Sequence, residues 1–317
     1  MSRRRVLLIV PPTGLYIRED RCQTPIEEMK TIALRPPIDL MYSAASTEKA
    51  GCECRLVDYP AERKSWRDLE ADIVDFRPHV LMISVTTPSL AQDLEAARVA
   101  KRLDPGILTV AKGAHFLVYD RETLEQCPEL DCVIRGEYEL TAAELGVGAP
   151  LDSILGITWR RPDGIIQQNP PRPFIEDLDS IPFPARHLVR NELYFRPDTM
   201  EPQTTIVTNR GCPHSCVYCL APVVSGKKNR YRSVGNVLAE IRECVERFGI
   251  RNFLFRSDLF TQNKKWVIEL CQAIIDAKLD IEWASNSRVD TINAEMLHWM
   301  KKAGCWIIAY GVRSEEH

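Results

Sequence analysis

The sequence predicts an α/β protein of two domains: a flavodoxin-like, doubly wound parallel sheet, then repeated βα units of an incomplete barrel. Three observations carry this reading. Over the first 146 residues short β-rich runs alternate with amphipathic helical stretches, the pattern of a parallel sheet covered by helices on both faces. A proline-dense segment interrupts the alternation, which resumes from Thr204 through four further strands. At 317 residues the chain exceeds the usual size of one core, so two cores are expected.

Five strands are expected in the first domain: VLLIV (6–10), CRLVDY (54–59), VLMISV (80–85), ILTVAKG (107–113) and DCVIRG (131–136). The apolar continuity of several suits strands buried on both faces. Between them IDLMYSAASTEKAG, SWRDLEADIVDF and SLAQDLEAARVAKRL place apolar residues at helical spacing, and Gly51 and Pro105 supply stops. Ligands of such sheets lie outside the carboxyl ends of the strands, where the winding reverses. The connection after the first strand, Pro11 to Pro36, is far longer than the roughly 2–6 residues usual there, as expected of a loop that covers something. The other strand ends carry small or polar groups: Thr86, Thr87 and Ser89; Gly113 and His115; Gly136 and Glu137.

Residues 150 to about 202 read as a hairpin turning at Asp163 and Gly164, then a linker holding seven prolines from Pro170 to Pro202. The second domain then offers TTIVTN (204–209), IRNFLFRS (250–257), IEWASNS (281–287) and CWIIAYGV (305–312), with helical patterns between them, as in a barrel. The expected boundaries are 1–148, 149–202 and 203–317. Four strands cannot close a barrel, so an open apolar strand edge and a fragment or truncated gene product are expected.

With 45% hydrophobic and 27% charged residues and a formal charge of −3, the composition is that of an ordinary globular protein. Basic residues are scattered, and the short cluster Lys227, Lys228, Arg230 and Arg232 reads as solvated surface, so nucleic acid is not an expected partner. No apolar run approaches the roughly 18 residues of a membrane span, and MSRRRVLLIVPP is too short in its apolar part for a signal peptide. Eleven cysteines without an export signal favour reduced thiols in a cytoplasmic setting. Cys244 and Cys271 fall on helical apolar stripes, and Cys305 opens a buried-looking strand.

Three cysteines are different. RGCPHSCVYCLAP (210–222) places Cys212, Cys216 and Cys219 on a loop at the carboxyl end of the first strand of the second domain, the face where barrels put chemistry. A structural zinc site wants four ligands, and no fourth cysteine or histidine follows at a ligand-like distance. Three buried structural thiols fit poorly with Pro213, His214 and Ser215 among them. Thiolate-rich ligation of this kind selects iron–sulfur or zinc.

The C-x3-C-x2-C spacing, with Tyr218 before the last cysteine, resembles the radical S-adenosylmethionine enzymes. The resemblance implies that Cys212, Cys216 and Cys219 hold a 4Fe-4S cluster whose fourth iron is chelated by S-adenosylmethionine, which is cleaved to a 5′-deoxyadenosyl radical. It also implies cofactor contacts from Tyr218 and from successive strand ends: Asp258 in FRSDLF, Asn286 and Arg288 in ASNSRVD, and Gly311 and Ser314 in YGVRSEE. In the last, Arg313 stands where the family's Gly-x-Glu-Ser turn has glutamate.

A doubly wound domain before such a barrel, with RPPIDLMYSAASTEKAG and the connector DLDSIPFPARHLV (177–189), resembles the cobalamin-binding subfamily. Its implied cobalamin contacts are Pro12, Thr13, Thr86, Thr87, Ser89, Gly113, His115, Gly136 and Glu137. The D-x-H-x-x-G pattern that supplies a histidine to cobalt is absent, so base-off cobalamin is implied, with His115 on the corrin or nucleotide tail. The implied chemistry is methyl transfer to an unactivated carbon or phosphorus, or, as in relatives resembling anaerobic tetrapyrrole cyclases, oxidation and ring closure. The implied partners are a lipid, tetrapyrrole or natural-product intermediate and an electron donor such as flavodoxin or ferredoxin. A non-catalytic cofactor-binding remnant is the reading from another class.

Overall fold

The structure is a computed structural model that describes residues 3–19, 22–25 and 34–311. It divides into two compact units, Met1–Ile175 with Ile181–Leu193, and Glu176–Ser180 with Tyr194–His317.

The first unit runs β1 (Arg5–Val10), β2 (Tyr16–Glu19), β3 (Cys22–Pro25), α1 (Ile38–Lys49), β4 (Glu53–Asp58), α2 (Trp66–Phe76), β5 (Val80–Ser84), α3 (Leu90–Asp93), α4 (Glu95–Leu103), β6 (Leu108–Lys112), α5 (Asp120–Gln126), β7 (Cys132–Ile134), α6 (Glu139–Val147), β8 (Ile157–Arg160) and β9 (Ile166–Gln168). Its main sheet has the order β4-β1-β5-β6-β7-β8-β9. The first five strands are parallel in flavodoxin-like order, and the winding reverses between β1 and β5. Strands β1 and β5 are buried on both faces, which is why they carry runs of Val, Leu, Ile and, in β5, Met; Leu7, Ile9, Leu81 and Ile83 pack with Leu69, Ile73 and Phe76 of α2. That helix starts where Asp68 accepts the Ser65 backbone N–H at 2.7 Å.

Three features differ from the sequence reading. The Pro11–Pro36 connection is not plain loop, because β2 and β3 form an antiparallel hairpin within it. The single helix expected after Ser89 is broken at Leu94, and the break leaves Asp93 fully buried. The hairpin at Asp163–Gly164 adds β8 antiparallel to β7 and β9 antiparallel to β8, held by Asn169, which accepts from Trp159 Nε1 and donates to the carbonyls of Leu151 and Ile154.

The second unit runs β10 (Gln203–Arg210), α7 (Ala221–Val224), β11 (Arg230–Tyr231), α8 (Val234–Phe248), β12 (Asn252–Ser257), α9 (Lys264–Asp276), β13 (Glu282–Ser287), α10 (Ala294–Lys302) and β14 (Cys305–Tyr310). Strands β10, β12, β13 and β14 are parallel neighbours, and β11 pairs antiparallel with β10. No closed barrel forms among the described residues. Each long helix opens on a side-chain cap: Ser233 accepts from Asn236, Asn263 from Trp266 and Asn293 from Met296, each cap worth about 1 kcal/mol. The core stacks Phe255 on Trp283 with ring centres 4.6 Å apart, and Cys244 and Cys271 are fully buried in it as small hydrophobes.

Two expectations are corrected here. Only Cys305 of its strand is buried; Trp306 and Ile307 are 39% and 46% exposed, because β14 has a single neighbour, β13, in the described sheet. The basic cluster is not all surface. Lys227 and Lys228 are exposed, whereas Arg230 and Arg232 are buried, the latter in an ion pair with the fully buried Glu240.

Candidate active site

Three devices place the cysteine loop at the carboxyl edge of the second sheet. Strand β11 clips the end of β10, pairing Asn209 with Tyr231 and Arg210 with Arg230. Gly211 then turns the chain at φ +92°, and a Cβ there would stand 2.0 Å from the Lys228 carbonyl, so only glycine fits. Its N–H donates to Asp258 Oδ2 at 2.5 Å, tying the loop to the end of β12. Cys212 N–H donates to the Gly226 carbonyl at 3.0 Å, and buried Arg230 holds the neighbouring Ser225 carbonyl at 2.8 Å.

Within this frame Cys212 is buried against Ala221 and Leu259, and Cys216 and Cys219 are half-buried. Burial pushes the Cys212 thiol up from its ordinary value. The Cys219 N–H donates to the Cys216 carbonyl at 3.0 Å, while Val217 and Tyr218 stand out into solvent. The Nε2 of His214 is buried without a hydrogen-bond partner. All ten described cysteines outside position 22 are free thiols, and among the described residues no three metal-binding side chains converge on one point.

The remaining strand ends gather around the loop unevenly. Asp258 is engaged by Gly211. Asn286 faces β12, donating to the Ser257 carbonyl at 3.2 Å and accepting from Ser257 Oγ at 3.3 Å. Arg288 Nη1 points at Cys216 Sγ, 3.7 Å away, while its other nitrogens grip both oxygens of Asp290. Each partner favours the other's charge, raising the Arg288 pKa and lowering that of Asp290. Gly311 is exposed after β14; Arg313 and Ser314 lie outside the described residues.

At the carboxyl edge of the first sheet the candidate residues split into two groups. Asp93 accepts from Thr13 Oγ1 (2.6 Å), Ser89 Oγ (2.6 Å) and the Thr86 backbone N–H (3.1 Å), and takes both ends of the Arg18 guanidinium at 2.9 Å. Thr86 Oγ1 in turn bonds Ser89 Oγ at 2.6 Å. Thr13, Thr86 and Ser89 therefore serve a network whose centre, Arg18–Asp93, sequence reasoning missed. Glu137 is also buried, accepting the Ile175 N–H at 2.7 Å. Gly113 is demanded by the sheet, since a Cβ would stand 2.3 Å from the Val85 carbonyl.

The second group faces outward. Thr87 is exposed, and its Oγ1 lies 3.3 Å from Nδ1 of His115, a ring stacked on Tyr119 at 5.2 Å. Burial lowers the His115 pKa, against the opposing pull of Glu122. Half-exposed Pro12 and Gly136 complete this rim, with nothing within 4 Å of where a Cβ of Gly136 would stand.

Sequence models of two families match the chain: the B12 binding domain over residues 34–146 and the Radical SAM superfamily over residues 206–314. The chain belongs to the cobalamin-binding radical S-adenosylmethionine proteins. An uncharacterized methyltransferase of Pyrococcus horikoshii is 32% identical over 99% of this chain and 66% of its own length. The anaerobic magnesium-protoporphyrin IX monomethyl ester cyclase of Rubrivivax gelatinosus is 27% identical over 88% of this chain and 52% of its own. The chain thus spans between half and two thirds of these relatives. Among solved structures, the radical S-adenosylmethionine methyltransferase TsrM of Kitasatospora setae, with cobalamin and a 4Fe-4S cluster bound, superposes with a TM-score of 0.74 at 18% identity, covering 98% of this chain and 59% of that one. At that identity the likeness is one of fold. No helix among the described residues is long and apolar enough to cross a membrane.

Proposed function

We propose that this chain binds the cofactors of a cobalamin-dependent radical S-adenosylmethionine enzyme that transfers a methyl group to an unactivated carbon or phosphorus centre. The observation that carries the reading is the cysteine loop: three thiols on one turn at a strand's carboxyl end, an orphaned buried His214 Nε2 and a guanidinium aimed at a sulfur. This donor set fits a cluster held by three thiolates. When bound, the cluster, S-adenosylmethionine and cobalamin would supply one-electron cleavage of the sulfonium and a transferable methyl group.

The chain's own residues bind and orient. Cys212, Cys216 and Cys219 are the thiolate ligands. Asp258 and Gly211 position their loop, and Tyr218, Asn286 and Gly311 belong to the rim for S-adenosylmethionine. Pro12, Thr87, His115 and Gly136 are the cobalamin contacts with free access, whereas Thr13, Thr86, Ser89, Gly113 and Glu137 shape that edge from beneath. An electron donor of flavodoxin or ferredoxin type, a small lipid, tetrapyrrole or natural-product substrate and a cytoplasmic setting belong to the same reading.

Methyl transfer is preferred to ring closure because the methyltransferase relative matches more of the chain at higher identity than the cyclase does. The test is anaerobic turnover of the natural protein with S-adenosylmethionine labelled in its methyl group and candidate substrates. Label in the product is expected. A product altered in mass but unlabelled would overturn methyl transfer in favour of oxidation or cyclisation.

A further inference from the structure

Arg288 is placed to do something other than line a cofactor rim. Its Nε and Nη2 bind the two carboxylate oxygens of Asp290 at 2.9 and 2.7 Å, a fork that fixes the guanidinium plane. The nitrogen left over, Nη1, points at Cys216 Sγ from 3.7 Å. Asp290 lies in a short turn after β13 that Thr291 fastens, its Oγ1 donating to the Arg288 carbonyl at 3.2 Å and bonding Thr261 Oγ1 at 2.7 Å. The Arg288 side chain is 40% exposed, and the fork to Asp290 with the Nη1 contact accounts for all three of its nitrogens.

We infer that Arg288, oriented by Asp290, is a positioning residue that donates a directed hydrogen bond to the Cys216 thiolate and thereby raises the reduction potential of the cluster held there. The inference rests on the cluster reading above. Its physical basis is that a donor to a ligand sulfur withdraws electron density and stabilises the reduced, more negative cluster, a principal means by which a protein sets the potential of an iron–sulfur centre. The guanidinium suits the task because its planar fork can hold a carboxylate on one side and present a fixed N–H on the other, which a lysine ammonium cannot do.

The experiment is an anaerobic redox titration, followed by the spectrum of the reduced cluster and performed without S-adenosylmethionine, on the reconstituted parent, Arg288→Gln and Arg288→Lys. Iron and sulfide content is measured on each. Equal loading with a midpoint displaced to more negative potential in both variants is expected, Lys failing because it loses the fork. A midpoint unchanged in Arg288→Gln at full loading would overturn the inference, as would full restoration by Arg288→Lys, which would reduce the effect to net charge. Should only the affinity for S-adenosylmethionine change, Arg288 is a cofactor contact and the inference is likewise overturned. A parent that takes up no cluster is a different failure: it removes the functional reading itself.

Discussion

The two sheets present their carboxyl edges differently. In the first unit part of the edge is closed by a polar network in which Asp93, fully buried, accepts from Arg18 Nη1 and Nη2, Thr13, Ser89 and the Thr86 backbone, while Arg18 Nε stays buried without a hydrogen-bond partner. In the second, the edge carries a loop whose backbone is pinned, whose His214 Nε2 is buried without a hydrogen-bond partner and whose tip exposes Val217 and Tyr218. A buried polar group without a partner costs free energy, so the many bonds to Asp93 serve stability.

The contrast can be broken most severely at Asp93. Asp93→Ala leaves the Arg18 charge buried and uncompensated, and should lower the stability of the first unit by about 3–5 kcal/mol, read from its urea midpoint. Adding Arg18→Met should recover much of that loss, because two apolar groups replace a broken pair. If Asp93→Ala is silent, the edge is not closed as described.

At the second edge, Gly211→Ala drives a Cβ into the Lys228 carbonyl at a positive φ and should cost about 1–3 kcal/mol while abolishing cluster uptake. Asp258→Ala removes the acceptor of the Gly211 N–H and should cost about 1–3 kcal/mol, with lowered iron content. Parallel losses of iron without loss of first-unit stability would sharpen the division between the edges.

Buried thiols give a pH signature. Burial pushes Cys271 and Cys305 of the second unit up to about 12 from an ordinary 9. The folded state holds these protons more firmly than the unfolded one. Their stabilisation is therefore complete below about pH 9 and is lost as pH rises toward 12. Urea midpoints at pH 8 and 10.5 should fall less in Cys271→Ala than in the parent. The smallest effect is expected at the exposed loop tip, where Val217→Ser should change stability by no more than about 0.5 kcal/mol.

The sequence disclosed what is periodic or closely spaced. The five parallel strands were legible because VLLIV and VLMISV have the unbroken apolar runs that two-sided burial requires, and the thiol loop because its three cysteines lie within eight residues. What escaped is long-range. Arg18 and Asp93 lie 75 residues apart, and Asp93 sits in a stretch whose helical spacing assigns it to a solvated face. Nothing local to Asp258 reveals that it accepts the Gly211 N–H, 47 residues earlier. Arg230 and Arg232 looked like surface because composition cannot show that Ser225 and Glu240 await them inside. Only the φ of Gly211 had a sequence signal, a glycine between a strand end and the first cysteine.

The central claim is that the second edge exists to hold an iron–sulfur cluster on three thiolates. Anaerobic reconstitution of the parent and of the Cys212→Ala, Cys216→Ala, Cys219→Ala triple variant, with iron and sulfide assayed on each, tests it directly. The account predicts about four irons and four sulfides in the parent and none in the variant. Equal iron and sulfide in both proteins, or a parent that takes up zinc in tetrahedral thiolate coordination and no sulfide, would contradict it.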